Sequence, residues 1–220
     1  MKPKILQMGA DNFGAGGRSV IAYNMTRPLT NDFQVDFLAI GKLKNPSFHR
    51  IIEENGGHVQ HVKEVSSKIK RLRSIYSILK KEKYDIVHIN VDDAIEGLFN
   101  IILSKLSGAK IVLHAHTTSS SRGEGFFGRL KMLSAKKIVN FLVDYKMACS
   151  LEAADYLYGD TDLSDVAIIK NGIIINDFLY NEELRQNVRE NLNIPMEAIV
   201  LGTVGRLSYP KNPEFMVSLI

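Results

Sequence analysis

The chain has 220 residues, of which 45% are hydrophobic and 24% charged, with a formal net charge of +4. This composition is typical of a globular protein and argues against disorder, and the mild basicity suits anionic small molecules or an anionic membrane surface without indicating nucleic acid. Because Cys149 is the single cysteine, an intramolecular disulfide is excluded, and we predict a buried thiol in a protein of a reducing compartment. No apolar run reaches the length that spans a membrane.

The first predicted elements are a strand at residues 5–8, a glycine-rich turn and a helix. The turn contains Gly14, Gly16 and Gly17, and glycines let backbone amides approach a ligand closely. The unpaired amides at the start of the helix favour an anion such as phosphate. The turn matches the dinucleotide pattern GxGxxG only in part, because Ser19 replaces the third glycine. A purely steric turn is the alternative.

A second strand is predicted at residues 33–40. A nicotinamide-binding protein would carry an acidic residue at the end of this strand to hold the ribose. Here the strand ends in Gly41 and Lys42, and its only acid, Asp36, lies inside it. The sequence therefore argues against a nicotinamide cofactor.

Further apolar runs alternate with helical patterns along the chain. Strands are predicted at 58–62, 85–90, 110–116, 145–150 and 166–170, and helices at 47–55, 66–83, 95–106, 126–143 and 182–192. Strands that are apolar almost throughout and alternate with helices indicate a parallel sheet covered on both faces. We therefore predict an α/β fold with a doubly wound, mostly parallel, Rossmann-like sheet, whose ligands lie beyond the carboxyl ends of its strands.

Polar side chains fall at those carboxyl ends. Asn90 ends one predicted strand, His116 the next and Ser150 the one after. His114 points to the same face of the sheet as His116 but lies farther from the carboxyl end of the strand, so His116 is the better functional candidate. For His114 a structural role stays open, and His88 is interpreted as a hydrogen-bonded structural residue.

The loop that follows His116 is polar and contains Arg122, as a segment that covers a ligand would. Metal-binding patterns are poor, because His114 and His116 have no further ligand at a suitable spacing. Asp160 and Asp162 spell DxD, which some sugar-transferring enzymes use to hold a metal, but their position favours turn chemistry. We predict no metal site.

Two predicted helices, 66–83 and 126–143, are rich in Lys and Arg. Basic amphipathic helices can lie on anionic membranes, so peripheral membrane contact stays open for both. The favoured interpretation of each is a core-facing helix with a solvated basic side.

A break at residues 193–195 predicts a boundary between two domains, 1–195 and 196–220. Beyond it we predict a strand at 199–204 and the start of a helix at 215–220. This apolar parallel strand needs neighbours that no later residues supply. The expectation is one Rossmann-like domain followed by the first strand and helix of a second, truncated one.

Several segments, in this order, resemble the retaining glycosyltransferases of family 4, which have the GT-B architecture. They are the glycine loop 14–17, the strands 85–90 and 112–116, the segments 148–154 and 169–173, and above all VGRLSYPKN at 204–212. The resemblance implies an acceptor-side domain facing a domain that binds a nucleotide sugar. It implies transfer with retention, from a UDP-sugar or another nucleotide sugar to a glycan or glycolipid in polysaccharide or glycoconjugate biosynthesis, with no cofactor and no required metal.

The resemblance also implies roles for single residues. Arg206 and Lys211 would hold the donor diphosphate, with Gly16 and Gly17 over the same region, and His116 would face the transferred sugar as the catalytic residue; Asn90, Ser150 and Arg122 are expected on the acceptor side. The paired glutamates that contact the donor in the family have no counterpart, so this chain by itself is expected to turn over poorly.

The resemblance implies a cytoplasmic enzyme, peripheral at the inner face of the membrane. Two other interpretations stay open. One is a nucleotide-sugar oxidoreductase or epimerase, and the other is a non-catalytic carbohydrate- or partner-binding module.

Overall fold

The computed structural model describes residues 2–10, 16–42, 46–63, 66–159, 162–205, 207 and 211–218. By its packing the chain divides into two compact units, Met1–Ile174 and Ile175–Ile220. The predicted domain boundary at residue 195 falls inside the second of these units.

The first unit is built on one sheet. Its strands are β1 (Lys4–Met8), β2 (Gln34–Ile40), β3 (Val59–Val62), β4 (Ile86–Val91), β5 (Lys110–Ala115), β6 (Tyr145–Ala148) and β7 (Val166–Ile168). In the described part of the chain these strands are all parallel and lie in the order β3-β2-β1-β4-β5-β6-β7. The order reverses between β1 and β4, and a reversal opens a ligand crevice at the carboxyl ends of the two strands. The predicted doubly wound, Rossmann-like α/β fold is confirmed.

Helices cover both faces of the sheet. They are α1 (Gly17–Thr26), α2 (Pro46–Glu54), α3 (Lys68–Glu82), α4 (Ala94–Ser107), α5 (Gly125–Leu142) and α6 (Leu151–Tyr158). Ile5 of β1 packs in one cluster with α1 and α2, whereas its neighbour Leu6 packs in a second cluster with α3, α4, α5 and α6. Successive side chains of a strand point to opposite faces, so a strand with helices on both sides is apolar throughout.

Local sequence signals set the helix ends. The Asp93 carboxylate accepts the Glu96 amide at 2.8 Å and begins α4, and Gly108, with φ +93°, ends it. Gly108 adopts the left-handed conformation that glycine tolerates best.

The sequence pattern predicts one strand over the apolar run 145–150 and no helix directly after it, whereas the structure has helix α6 there. The strand stops at Ala148, and the Ser150 hydroxyl accepts the Ala153 amide at 3.2 Å. Ser150 is therefore the N-cap of α6, a role that serine fills well.

The second unit contains α7 (Glu182–Asn191) and α8 (Pro213–Ser218). The strand predicted at 199–204 is wrong, since the described residues there form no strand. Ile199, Leu201 and Val204 are 91%, 74% and 104% exposed. An apolar run forms a parallel strand only beside a strand that accepts and donates its backbone hydrogen bonds, and none pairs with it in the described part of the chain.

No helix among the described residues is both long and apolar enough to span a lipid bilayer.

Candidate functional site

The candidate site lies at the carboxyl ends of β1, β4 and β5. Gly9, directly after β1, has φ +75°, and a Cβ atom there would lie 1.9 Å from the Asn90 carbonyl oxygen. Only glycine fits this close approach of two backbones. Gly9 therefore brings the end of β1 against the end of β4, where the sequence places Asn90.

Asn90 is fully buried and fixes the orientation of His116. Its Nδ2 atom donates to the Met8 carbonyl and to Gln7 Oε1, each at 3.0 Å. A carbonyl oxygen only accepts, so the nitrogen of the Asn90 amide must face Met8 and the oxygen must face His116. The His116 Nε2 atom lies 2.9 Å from this oxygen and must donate to it. The neutral imidazole therefore keeps Nδ1 unprotonated.

Gln7 fixes the tautomer of His88 in the same way. Gln7 uses Oε1 to accept from Asn90, so its Nε2 atom donates to His88 Nδ1 at 2.9 Å. Two buried amides thus link His88 to His116 through a chain of hydrogen bonds with one direction. Such a chain holds each ring in one tautomer.

The rings of His88, His114 and His116 stack on one another. The ring centroids of His88 and His114 lie 5.4 Å apart, and those of His114 and His116 lie 4.1 Å apart. The prediction that His114 and His116 point the same way is confirmed. His88 Nε2 and both ring nitrogens of His114 are buried with no hydrogen-bond partner in the described part of the chain.

Burial keeps this stack uncharged. Burial, followed by the effect of the neighbouring ring, lowers the pKa of His88 and of His114 to about 3. Burial, followed by His88 and Arg18, lowers the pKa of His116 to about 4. Near neutral pH the candidate catalytic residue is therefore a neutral imidazole.

The loop after β5 is anchored to α4 through Asp93. This buried carboxylate accepts Arg122 Nη1 at 2.7 Å and the Ser120 hydroxyl at 2.5 Å. Burial alone would raise the pKa of Asp93, but the hydrogen bonds from Ser120, Arg122 and the Glu96 amide outweigh it and lower the pKa below its ordinary value. Arg122, predicted from its polar loop, is thus held at the edge of the site.

A second arginine, Arg18, reaches the same edge from α1. Its Nη1 atom lies 3.1 Å from Glu96 Oε1 and 3.6 Å from Asp92 Oδ1. Glu96 also lies 3.5 Å from Arg122, so its carboxylate stands between two guanidinium groups. Two cations from distant segments are thereby positioned beyond the ends of β4 and β5.

A cavity of about 460 Å³ opens beside these residues, between α3 and α4. Its lining combines three cationic side chains, one acidic side chain, polar and apolar side chains and one glycine: Gly9, Ile40, Lys68, Arg71, Leu72, Ile75, Asn90, Val91, Ile95, Glu96, Phe99, Asn100 and Arg122. The Lys68 Nζ atom lies 4.1 Å from the centre of the Phe99 ring. Such a lining suits a ligand that has both an anionic and an apolar part.

The structure brings together three of the predicted site residues, namely Asn90, His116 and Arg122. Ser150 instead caps α6, and its hydroxyl is occupied by that helix. An acceptor-side role for Ser150 stays a prediction.

The predicted phosphate-binding residues are described in part. Gly16 is the N-cap of α1 and Gly17 its first residue, with open space where a Cβ atom of Gly17 would stand. Gly14 and Arg206 lie outside the described residues. Lys211 is exposed in the second unit, where its side chain runs beside Gly205. The roles of these residues stay predictions.

Sequence reasoning missed Gln7, Arg18, Asp93 and Glu96. Asp93 and Glu96 form the spacing of a capping box, which marks a helix start and was the available signal. Gln7 and Arg18 carry no comparable pattern, because their partners are more than 70 residues away in the sequence.

Metal ligands are not clustered in the part of the chain that the structure describes. No group of three or more His, Cys, Asp or Glu side chains there is arranged to hold an ion. Asp162 accepts the Ser164 amide at 2.9 Å in a turn, and Asp160 lies outside the described residues. Transfer without a metal stays a prediction.

Residues 15–177 match the sequence profile described as Glycosyltransferase Family 4. A protein of Bacillus subtilis strain 168, named as the glycosyltransferase EpsF, is 24% identical over 212 residues, which are 93% of this chain and 54% of that protein. The UDP-Gal:α-D-GlcNAc-diphosphoundecaprenol α-1,3-galactosyltransferase of Escherichia coli is 27% identical over 160 residues, 67% of this chain and 38% of that enzyme.

The fold is similar to that of solved structures. HepE of Anabaena, solved in complex with UDP and glucose, superposes with a TM-score of 0.65 and 17% identity, over 87% of this chain and 50% of HepE. The chain spans about half the length of EpsF and of HepE, and less than half of the galactosyltransferase.

Proposed function

Because the chain belongs to glycosyltransferase family 4, we propose that it forms the acceptor side of an enzyme that transfers a sugar from a nucleotide-sugar donor to a glycan or glycolipid. The observation that carries this proposal is the cluster at the carboxyl ends of β1, β4 and β5. There Asn90, which lines the cavity, holds a neutral His116 in one tautomer near Arg18.

The donor in this proposal is a UDP-sugar. The E. coli relative uses UDP-Gal by its name, and HepE holds UDP. Arg206 and Lys211 would stabilise the charge that develops on the departing diphosphate, since hydrogen bonds between cations and phosphate oxygens are strong. Gly16 and Gly17, at the start of α1, would approach the same group. The proposal includes retention of the anomeric configuration and needs no metal.

His116 would act at the transferred sugar. With Nε2 donating to Asn90, its unprotonated Nδ1 can accept a hydrogen bond from a sugar hydroxyl. A neutral ring would also not repel the positive charge that develops on the sugar during transfer.

The acceptor in this proposal is a glycolipid that carries a phosphate or diphosphate. The relative from E. coli acts on a sugar linked to diphosphoundecaprenol, by its name. In the cavity between α3 and α4, Lys68 and Arg71 would bind the anionic part, and Leu72 and Phe99 would contact apolar groups. The proposed place of action is the cytoplasm, at the inner face of the membrane.

The test is sugar transfer from radiolabelled UDP-sugars to lipid-diphosphate acceptors, with the longest natural polypeptide that contains this sequence. We expect incorporation into the lipid fraction, with the donor's anomeric configuration retained by NMR. His116→Ala should lower kcat/KM at least about 100-fold, because a positioned polar group at the reacting centre is lost. His61→Ala, at an exposed position, is the control. No transfer, or full activity of His116→Ala, would contradict the proposal.

The acceptor assignment has its own arm in this experiment. Lys68→Ala and Arg71→Ala should each raise the acceptor KM about tenfold and leave the donor KM unchanged, since a charged contact contributes about 1.4 kcal/mol or more. Lys81→Ala, on the exposed side of α3, is the matched control. An acceptor KM equal to that of the wild type in all three variants would exclude this cavity as the acceptor site.

A further inference from the structure

Arg18 and Glu96 form an ion pair across the crevice that opens where the strand order reverses. Arg18 lies in the first turn of α1, which follows β1, and Glu96 lies in the first turn of α4, which follows β4. The Arg18 Nη1 atom lies 3.1 Å from Glu96 Oε1, and the two side chains are only 24% and 18% exposed. Ligands of doubly wound folds bind in this crevice, so the ion pair lies where a ligand is expected.

The Arg18 guanidinium uses one of its three nitrogens. Besides Glu96, the Nη1 atom has the Asp92 carboxylate at 3.6 Å and the Asn90 carbonyl oxygen at 3.5 Å. Nε and Nη2 have no hydrogen-bond partner among the residues that the structure describes. A guanidinium binds most strongly when two parallel N–H groups donate to two oxygens of one anion, as they do to a phosphate. Exchange of Glu96 for a phosphate would therefore strengthen the hydrogen bonding of Arg18.

Glu96 keeps other partners if Arg18 moves. Its Oε2 atom accepts the Asp92 amide at 2.9 Å, and the same oxygen lies 3.5 Å from Arg122 Nη1. Arg122 is itself held by the buried Asp93 carboxylate at 2.7 Å. The Glu96 carboxylate would thus keep a backbone donor and a neighbouring cation. Arg18 is therefore the movable member of this cluster, and Arg122 is the fixed one.

Arg18 also lies near the groups to which the proposed function assigns the reaction. Its positive charge is one cause of the lowered pKa of His116, after burial and His88. Gly16 and Gly17 directly precede it in the chain, and Glu96 lines the cavity between α3 and α4. Arg18 therefore stands between the expected position of the donor diphosphate and the proposed position of the acceptor.

We propose that Arg18 binds a diphosphate group, exchanging Glu96 for phosphate oxygens when a substrate enters the crevice. Glu96 is then an internal competitor that sets the affinity for this group. The exchange follows from the ion pair itself, whereas the source of the diphosphate, donor or acceptor, rests on the proposed function.

Binding of inorganic pyrophosphate to the 220-residue chain, measured by titration calorimetry, tests the exchange. Arg18→Ala should weaken binding at least about tenfold, because a charge-assisted contact is lost. Glu96→Gln should strengthen binding about threefold, because the competing charge is removed while the glutamine oxygen still accepts the Asp92 amide. A clamp that only holds α1 against α4 predicts a different result, since loss of either partner would then weaken binding.

A double-mutant cycle separates the exchange from a general change of charge. In the Arg18→Ala background, Glu96→Gln should no longer strengthen binding, because the two effects pass through one ion pair. The matched control is the exposed pair Arg50 and Glu54 of α2, whose Nε and Oε1 atoms are 3.4 Å apart. Arg50→Ala and Glu54→Gln make the same changes of charge outside the crevice and should bind pyrophosphate as the wild type does. Circular dichroism verifies that all variants fold.

Two further probes identify the source of the diphosphate. UDP represents the donor, and a sugar joined through a diphosphate to a short alkyl chain represents the acceptor. The probe whose binding Arg18→Ala weakens at least about tenfold names the substrate that Arg18 holds. If neither probe is weakened, Arg18 binds no substrate diphosphate and the proposal is wrong.

Three results with pyrophosphate would also overturn the proposal. They are absence of binding to the wild type, unchanged binding in Arg18→Ala, and weaker binding in Glu96→Gln. A gain from Glu96→Gln that persists without Arg18 would reduce Glu96 to a general charge effect and exclude the exchange. Exchange in these binding assays without sugar transfer in the separate enzyme assay would support the role of Arg18 and contradict only the proposed function.

Discussion

At the residue scale, Asn90 decides which nitrogen of His116 carries the proton. The Met8 carbonyl fixes the direction of the Asn90 amide, and the amide fixes the tautomer of the ring. Positioned amides and carbonyls commonly set histidine tautomers in this way. The Nδ1 atom of His116 is therefore a hydrogen-bond acceptor before any ligand binds.

Asn90→Asp should raise the pKa of His116 from about 4 toward its ordinary value. A carboxylate at this position accepts from Nε2 but has no amide hydrogen for Met8 or Gln7, and its charge favours the protonated ring. Nitrogen-15 NMR of the imidazole gives both the tautomer and the pKa. Asn55→Asp, at an exposed position, is the control. An unchanged His116 titration in Asn90→Asp would refute this role of Asn90.

The histidine stack makes stability depend on pH. The folded-state pKa values of His88, His114 and His116 are about 3, 3 and 4, below the unfolded value of 6.5. Below that value the unfolded chain binds protons that the folded chain does not, so stability falls as pH falls. As the pH falls from about 7 to about 5, protonation of each histidine in the unfolded chain should lower the free energy of unfolding by about 2 kcal/mol.

Urea unfolding at a series of pH values measures this loss. His114→Phe keeps an aromatic ring in the stack but removes one titrating group, so the decline should become shallower. Asn55→Gln, at an exposed position without a titrating side chain, should keep the wild-type slope. Asp93 does not interfere, because its lowered pKa is felt only below the ordinary carboxylate range. A wild-type stability independent of pH in this interval would contradict the prediction.

At the element scale, the start of α4 joins helix, loop and site. Asp93 caps the helix, and the same carboxylate holds Ser120 and Arg122 in the loop after β5. One side chain therefore controls both the first turn of α4 and the position of the loop that leads into α5.

Asp93→Ala should lower the free energy of unfolding by about 2–4 kcal/mol, because it removes a cap and the buried partner of an arginine. It should also release the loop, so that trypsin cleaves after Arg122 faster than in the wild type. Asp162→Ala removes only an exposed cap and should lower the free energy of unfolding less than Asp93→Ala does. If Asp93→Ala had the free energy of unfolding and the cleavage rate of the wild type, Asp93 would not anchor the loop.

At the scale of the whole molecule, the two compact units have different contents. The first holds the sheet, the histidine stack and the cavity, and the second holds the segment expected to bind the donor. The exposed run at 199–204 and Lys211 belong to this second unit. Donor binding is therefore tested in the longest natural polypeptide that contains the chain.

If the proposed function holds, Arg206→Ala and Lys211→Ala should each lower kcat/KM for the UDP-sugar by at least about 100-fold, because each would remove a cation that the proposal places at the leaving diphosphate. Steady-state kinetics with the donor varied measures the effect. Lys170→Ala, an exposed lysine in the first unit, is the control. Near-normal turnover in both variants would end this assignment.

The sequence by itself determined the fold class and most elements, because a parallel sheet covered on both faces requires apolar runs at strand length and helices at their own period. It also placed Asn90, His116 and Arg122 at strand ends and in the following loop. It failed at residues 199–204, where a strand pattern lacks a neighbouring strand, and at 150–158, where the Ser150 cap begins an unpredicted helix.

Only the tertiary structure decided which of these residues meet. Gln7, Asn90 and His116 come together because β1, β4 and β5 are neighbours in the sheet, although they are far apart in the chain. Likewise, the period of α5 shows which side chains share a face, but not which face the core covers. Contacts between distant segments depend on the order of strands, and a local pattern does not contain that order.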